Sequence, residues 1–210
     1  MKSVARRGIP RPHEVCTVRA SAMKSADHHF ELSNEAIHLR PFRLDDAEAI
    51  FEAVRESMRE LGQWLSWCHP DYTIQDSIQF LTAQGETLRT NSEYGFAITD
   101  RANGRLLGAC GINQFEKATR CANLGYWLRT SATQRGVATQ AVRLVAHWTF
   151  AQLAIERIEI VAATGNHASQ RVAERVGATR EGIARGRLRV HGAQHDAVIF
   201  SLIRSDILAP

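Results

Sequence analysis

The stretch that most constrains the fold of this chain is 124–145, which reads LGYWLRTSATQRGVATQAVRLV. Its apolar start indicates a strand, and Val137, Ala141 and Leu144 recur at the spacing of a helix. A glycine-containing loop that leads into a helix leaves backbone N–H groups without partners at the positive end of the helix dipole. The residues alone leave two interpretations open: a phosphate-binding turn, or an ordinary strand–loop–helix connection.

Composition bounds the class of protein. With 210 residues, 44% of them hydrophobic and 23% charged, the chain is typical of a soluble globular domain. Its apolar runs are too short to span a bilayer, so we expect no membrane partner. His191 and His195 have no third ligand nearby in the sequence, which predicts no metal site. The cysteines show no Cys-x-x-Cys spacing, which favours a reducing cytoplasm over a disulfide framework.

The net charge of +4 belongs to the N-terminal segment. Residues 1–24 hold six Lys and Arg side chains against one Glu, so residues 25–210 carry one more acid than base. We therefore expect no nucleic-acid partner on the domain body. We interpret residues 1–34 as a basic, disordered extension, with Met23 as a possible true start, and residues 35–206 as one domain.

The order of elements predicts an α+β fold with a mixed sheet covered by helices on both faces. An Asn-Gly pair between two apolar runs indicates a hairpin at residue 103. The predicted elements are a strand at Ile37–Leu39, a helix capped by Asp45 or Asp46, a helix from Thr73, three antiparallel strands, a helix from Val137 to about Leu153, a strand from Arg157, a helix between Asn166 and Gly177, and two closing strands.

Several segments together resemble a known family, and they are GYWLRTSATQRGVATQA, RIEIVAATGNHASQRVAERVGA, EGIAR and HGAQHDAVIF. Over residues 37–204 the chain resembles the GNAT acyl-CoA N-acetyltransferases, in the branch of the ribosomal-protein enzymes of RimJ and RimL type. The resemblance implies a single domain whose mostly antiparallel sheet is splayed at the cofactor site. The family's loop pattern falls on Thr133, Gly136 and Ala138, where Thr133 replaces the usual Arg or Gln. Ala178 stands where the family usually has Phe.

The resemblance implies acetyl-CoA as cosubstrate and assigns residues to it. Leu128 would offer a backbone N–H to the thioester carbonyl, and Ser169 would act as the acid for the leaving thiolate. Asn166 could equally be a plain helix cap, and Ser169 a solvated residue of the first turn. The cofactor-binding residues implied are Tyr126, Leu128, Gln134, Arg135, Gly136, Val137, Ala138, Thr139, Asn166, Ser169 and Arg171.

The acceptor side is less defined. Glu159 is the carboxylate on its strand and is the candidate general base, with a surface ion pair to a neighbouring Arg as the alternative. Trp64 and Trp67 would wall the acceptor pocket, or else pack in the core. The expected reaction transfers acetyl to a primary amine, first of all a protein N-terminus such as that of a ribosomal protein. A small-molecule amine is the alternative, and a CoA-binding module without turnover is the third reading. The chain is expected to be a monomer or homodimer.

Overall fold

The computed structural model describes residues 30–207. Short 3-10 turns at Leu44–Asp46 and Thr130–Ala132 supplement the regular elements. The strands are β1 Leu32–Ser33, β2 Ile37–Pro41, β3 Tyr94–Asp100, β4 Leu106–Glu116, β5 Cys121–Leu128, β6 Arg157–Ala163, β7 Thr179–Val190 and β8 Ala193–Ile203. The helices are α1 Ala47–Glu56, α2 Met58–Leu61, α3 Ile74–Arg89, α4 Val137–Gln152, α5 His167–Arg175 and α6 Arg204–Ile207.

The eight strands form one sheet in the order β1-β2-β3-β4-β5-β6-β8-β7. Every neighbouring pair is antiparallel except β5 and β6, which run parallel. The parallel pair needs a crossover, and α4 supplies it. This arrangement confirms the predicted α+β class. None of the helices between residues 30 and 207 is long and apolar enough to cross a membrane.

The parallel strands β5 and β6 are paired over only a short length. Their pairing covers three positions, from Cys121 opposite Arg157 to Asn123 opposite Glu159. Beyond these positions β6 pairs only with β8, so the end of β5 has an open edge. The predicted splay of the sheet is therefore confirmed, and it lies directly before the 129–136 loop.

Two hydrophobic clusters cover the two faces of the sheet. The larger one packs α4 and α5 against side chains such as Phe96, Ile98 and Ile160. The smaller one packs α1 and α3 against Ala97 and Leu106. Phe96, Ala97 and Ile98 are consecutive and fully buried, so β3 contributes alternately to both layers.

The folded part begins earlier than residue 35. Phe30 stacks on Trp148 with ring centroids 5.0 Å apart, and Leu32 is buried in the larger cluster. β1 pairs with β2, so Leu32 and Ser33 belong to the sheet. The segment predicted to be disordered otherwise lies outside the described residues.

The helical segment that follows Asp46 is interrupted at Ser57. α1 ends at Glu56 and α2 begins at Met58, with Ser57 fully buried between them. The Ser57 hydroxyl accepts a hydrogen bond from the Thr130 backbone N–H at 2.8 Å. Ser57 and Thr130 are 73 positions apart in the chain, so helical periodicity could not predict their contact.

Candidate active site

The loop before α4 and the first turn of that helix leave backbone N–H groups without helical partners. Gln134 and Gly136 both have left-handed backbone conformations, with φ of 60° and 77°. Gly136 caps α4, and Gln140 is the first residue after it whose N–H reaches a helical carbonyl, that of Gly136 at 3.1 Å. The N–H groups of the first turn therefore point outward at the positive end of a 16-residue helix. This geometry suits an anion.

The end of β5 presents further backbone groups on its open side. The Arg129 N–H donates to the Leu107 carbonyl at 2.9 Å, which fixes which residues of β5 bond to β4. Because alternate residues of an antiparallel strand face opposite neighbours, the N–H groups of Tyr126 and Leu128 face away from β4. They face the gap that β6 leaves.

A cavity of about 430 Å³ lies between this gap, the loop and α5, and we call it the loop cavity. Glu60, Thr130, Thr133 and Arg175 also line it. Arg135 is exposed and does not line the cavity. The predicted cofactor residues that line it are Tyr126, Leu128, Gln134, Gly136, Val137, Ala138, Thr139, Asn166, Ser169 and Arg171.

A second cavity, of about 670 Å³, lies on the other side of β5, and we call it the aromatic cavity. Its polar lining includes His69, Asp76 and Glu93. The loop and aromatic cavities share Leu65, Tyr126 and Trp127, so they meet at the open end of β5. The rings that line the aromatic cavity belong to Phe42, Trp67, His69, Tyr72, Phe80, Tyr94, Tyr126 and Trp127.

Two hydroxyl groups meet where the cavities join. The Tyr126 hydroxyl lies 2.9 Å from Ser169 Oγ and donates to the Ser169 carbonyl at 3.0 Å. Burial raises the pKa of the Tyr126 phenol, so it stays protonated and can donate. Asn166 caps α5, since its Oδ1 accepts from the Ser169 N–H at 3.0 Å. The cap and the Tyr126 contact together fix the position of Ser169.

An ion pair between Glu56 and Arg129 holds the start of the 129–136 loop against α1. It was not predicted from the sequence. Arg129 is 6% exposed, and its guanidinium donates twice to one carboxylate oxygen of Glu56, with the Nε contact at 2.8 Å. The other Glu56 oxygen accepts from the Ser131 N–H at 2.8 Å. The guanidinium lowers the pKa of Glu56 to about 2. No local pattern marks this pair, because its members lie 73 positions apart.

The two tryptophans expected at the acceptor site line different cavities. Trp67 lines the aromatic cavity, where its ring lies 5.8 Å from that of Trp127. Trp64 lines the loop cavity instead. It sits over Gly165, where an added Cβ would lie 3.1 Å from the Trp64 ring. Trp64 therefore covers the turn before Asn166, and of the two tryptophans Trp67 alone lines the aromatic cavity; their roles toward an acceptor stay a prediction.

Glu159 lies in neither cavity. Its carboxylate accepts from the Arg157 guanidinium at 2.9 Å, and Arg157 in turn binds Glu181 through two contacts of 2.6 Å. This is the ion-pair alternative that the sequence left open. The role of Glu159 as a base, directly or through water, stays a prediction.

Comparison with known proteins decides the family. The model of the acetyltransferase (GNAT) domain matches residues 36–179. The chain belongs to the GNAT acetyltransferase family. Like other GNAT members it is an N-acetyltransferase, with acetyl-CoA as the acetyl donor.

The similar proteins include relatives named as N-acetyltransferases, and some of these names specify ribosomal proteins. The Bacillus subtilis (strain 168) "Probable N-acetyltransferase YjcK" is 31% identical over 178 residues, which are 83% of this GNAT chain and 98% of the relative. The Escherichia coli (strain K12) "Ribosomal-protein-serine acetyltransferase" is 22% identical over 170 residues, 81% and 94% of the two chains. The structure of Mycobacterium smegmatis RimJ in complex with CoA-disulfide has a TM-score of 0.74 at 25% identity, covering 81% of this chain and 83% of that one.

Proposed function

We propose that this enzyme transfers the acetyl group of acetyl-CoA to the N-terminal α-amine of a protein, a ribosomal protein being the first candidate. The observation that carries the proposal is the meeting of the two cavities at Tyr126 and Trp127, beside the free N–H of Leu128. A donor held in the loop cavity and an amine held in the aromatic cavity would react at this junction. Relatives named as ribosomal-protein acetyltransferases support the choice of acceptor.

The donor would lie along the loop cavity. The backbone N–H groups from Gln134 to Thr139 would bind its pyrophosphate, and Arg171 and Arg175 would add positive charge at the rim. Arg135 would act only through its backbone, because its side chain lies outside the cavity. The pantetheine arm would run along the unpaired edge of β5 as an added strand does.

The reacting carbonyl would accept a hydrogen bond from the Leu128 N–H. As the amine attacks, negative charge grows on the carbonyl oxygen, and a fixed donor can stabilise it by about 2.7–4 kcal/mol. Ser169 Oγ would then give its proton to the departing thiolate while the Tyr126 phenol stays hydrogen-bonded to it, and the proton that the amine nitrogen loses would return to Ser169 through water. A thiolate with a pKa of about 8.5 needs only modest help of this kind.

The amine requires little help to lose its proton. A chain-terminal amine has a pKa of about 7.7–8.0, so a useful fraction is neutral at pH 7, whereas a lysine side chain at about 10.4 is almost wholly charged. Because Glu159 is paired with Arg157 outside both cavities, we assign it no direct contact with the acceptor. This favours an α-amine over lysine.

The shape of the aromatic cavity affects which class of amine could bind in it. Exposed residues such as Trp67, Gln79 and Ala83 line it, so it is continuous with the protein surface beside α3. A peptide could extend out of such a cavity. A volume of about 670 Å³ equally suits a small-molecule amine, which is the second candidate.

A comparison of acceptors tests the proposal. Purified enzyme with acetyl-CoA is offered ten-residue peptides beginning with Ser, Ala or Met, the same peptides with blocked N-termini, and a set of amino acids and polyamines, and released thiol is measured. We expect release with free N-termini and none with blocked ones. Release with small amines alone would identify the second candidate, and release with no amine would remove the enzymatic proposal.

A further inference from the structure

The edge strand β7 carries a row of arginines that the reaction does not use. Arg185, Arg187 and Arg189 occupy alternate positions of β7, and all three side chains are exposed. None of them has a carboxylate within 4 Å or a hydrogen-bonding partner among residues 30–207. We call these three residues the arginine row.

The strand that carries the arginine row ends at a turn that contacts the helix–helix loop. The turn after β7 is tied to the helix–helix loop by His191, whose Nε2 lies 2.8 Å from the Gly62 carbonyl oxygen. The residues that follow Gly62 include Trp64, Leu65 and Trp67, which line the two cavities. Arg189 is two residues before His191, which at about 3.3 Å per residue places it roughly 7 Å away along the strand.

The neighbouring carboxylates form no ion pair with the arginine row. Asp196, on β8, accepts the Gly186 N–H at 2.8 Å instead. Glu181, at the start of β7, is bound to Arg157 and Ser201. Edge strands often carry a charge that prevents strand-to-strand aggregation. One charge is enough for that purpose, whereas three without partners create a local positive field.

Resting on the proposed function, we propose that the arginine row binds an acidic segment of the acceptor protein, a few residues downstream of the amine that is acetylated. β7 is the last strand of the sheet among residues 30–207, and its pairing with β8 is irregular between Ala184 and Leu188, so the arginines project from a bulged edge. Acidic side chains of the acceptor segment would pair with the exposed guanidinium groups.

A peptide fits this surface better than a nucleic acid. The described residues carry twenty Lys and Arg against twenty Asp and Glu, so the domain has no excess of positive charge to attract a phosphate backbone. The arginine row is a narrow strip on β7 that ends near His191 and the helix–helix loop.

Matched peptides test the inference. Two ten-residue peptides share their first three residues, and one has Asp or Glu at positions 5, 7 and 9 where the other has Asn or Gln. At 20 mM salt we expect kcat/KM to be about tenfold higher for the acidic peptide, and this advantage to disappear at 0.5 M salt. The triple variant R185Q/R187Q/R189Q should lose the advantage, while the control R55Q/R89Q/R120Q, which removes three exposed arginines elsewhere, should keep it.

The outcomes separate the two proposals. Turnover of the neutral peptide reports the proposed function and the fold of each variant, so its loss in all enzymes would overturn the proposed function itself. Equal turnover of both peptides by the wild type, or an acidic advantage that survives in the triple variant, would overturn the role of the arginine row. Binding of a 20-nucleotide RNA by the wild type but not by the triple variant, without an acidic-peptide advantage, would assign the row to nucleic acid instead.

Discussion

Tyr126 lies between the loop cavity and the aromatic cavity and connects β5 with α5. Its backbone N–H faces the gap beside β5, and its side chain lines both cavities. Its hydroxyl is bound to Ser169 at the start of α5. Any shift of β5 relative to α5 would therefore change the position of the backbone donor and of the proton donor together.

Replacement of Ser169 by Ala removes the group proposed to protonate the thiolate. We expect kcat to fall by about tenfold, below the usual range for a general acid, because the thiolate is already a good leaving group. Tyr126→Phe, which keeps Ser169 but removes its partner, should cost less. Release of free thiol at saturating acetyl-CoA measures both.

The two variants also check each other. If Ser169 acts on the leaving group, the double variant should be no slower than Ser169→Ala, because the phenol works through the serine. An unchanged kcat for Ser169→Ala would leave Ser169 as a purely structural residue of α5.

At the scale of elements, the loop before α4 depends on a backbone conformation that side chains disfavour. In Gly136→Glu, a φ of 77° would strain the new residue, and its carboxylate would lie where the pyrophosphate is proposed to bind. We expect acetyl-CoA binding to be lost in calorimetry. Gly104→Glu is the matched control, since Gly104 has a φ of 74° in an exposed hairpin turn away from both cavities. Equal affinity in both variants would contradict the assignment of the loop.

Helix α1 supports the same loop through Glu56. In Glu56→Gln, the guanidinium of the buried Arg129 loses its charged partner, and Ser131 loses a carboxylate acceptor. We expect the free energy of unfolding to fall by about 2 kcal/mol and KM for acetyl-CoA to rise by about tenfold, because hydrogen bonds to charged groups are strong and small displacements of a binding loop are costly.

A substitution on the same helix controls for charge. Glu52→Gln removes an exposed carboxylate one turn earlier on α1, and it should change neither quantity. Since Glu56 lines neither cavity, a rise in KM would report the position of the loop and not a lost contact with the cofactor. An unchanged KM with lowered stability would limit Glu56 to a role in folding.

The sequence predicted what short-range patterns encode. The Asn-Gly hairpin, the cap at Asn166 and the turn at Gly136 each depend on a few adjacent residues, and the structure contains all three. The Glu56–Arg129 pair and the contact of Trp64 with Gly165 join segments that are far apart in the chain. No pattern of nearby residues could therefore predict them. The division of Trp64 and Trp67 between two cavities depends on the path of one loop, which composition does not determine.

At the scale of the molecule, the splay divides the sheet into two parts that meet at three positions of β5 and β6. Helix α4 packs across the division, since the larger cluster unites Phe96 and Ile98 with Ile158 and Ile160. Each part carries its own ion pair: Glu56 with Arg129 on one side, and Glu181 with Arg157 on the other. The gap in which we propose that the cofactor binds lies between these two parts of the sheet.

These two ion pairs predict how stability depends on pH. The guanidinium partners lower the pKa of Glu56 and of Glu181 to about 2, from an ordinary value of 4.5. Between pH 4.5 and 2 the unfolded chain therefore binds more protons than the folded one, so the stability that these carboxylates provide above pH 4.5 is lost as pH falls. Urea unfolding of the wild type should show this loss between pH 5 and 3. The double variant E56Q/E181Q should be less stable at pH 6 but lose less on acidification, whereas E52Q should follow the wild type. Parallel curves for the wild type and the double variant would show that other carboxylates govern the acid response.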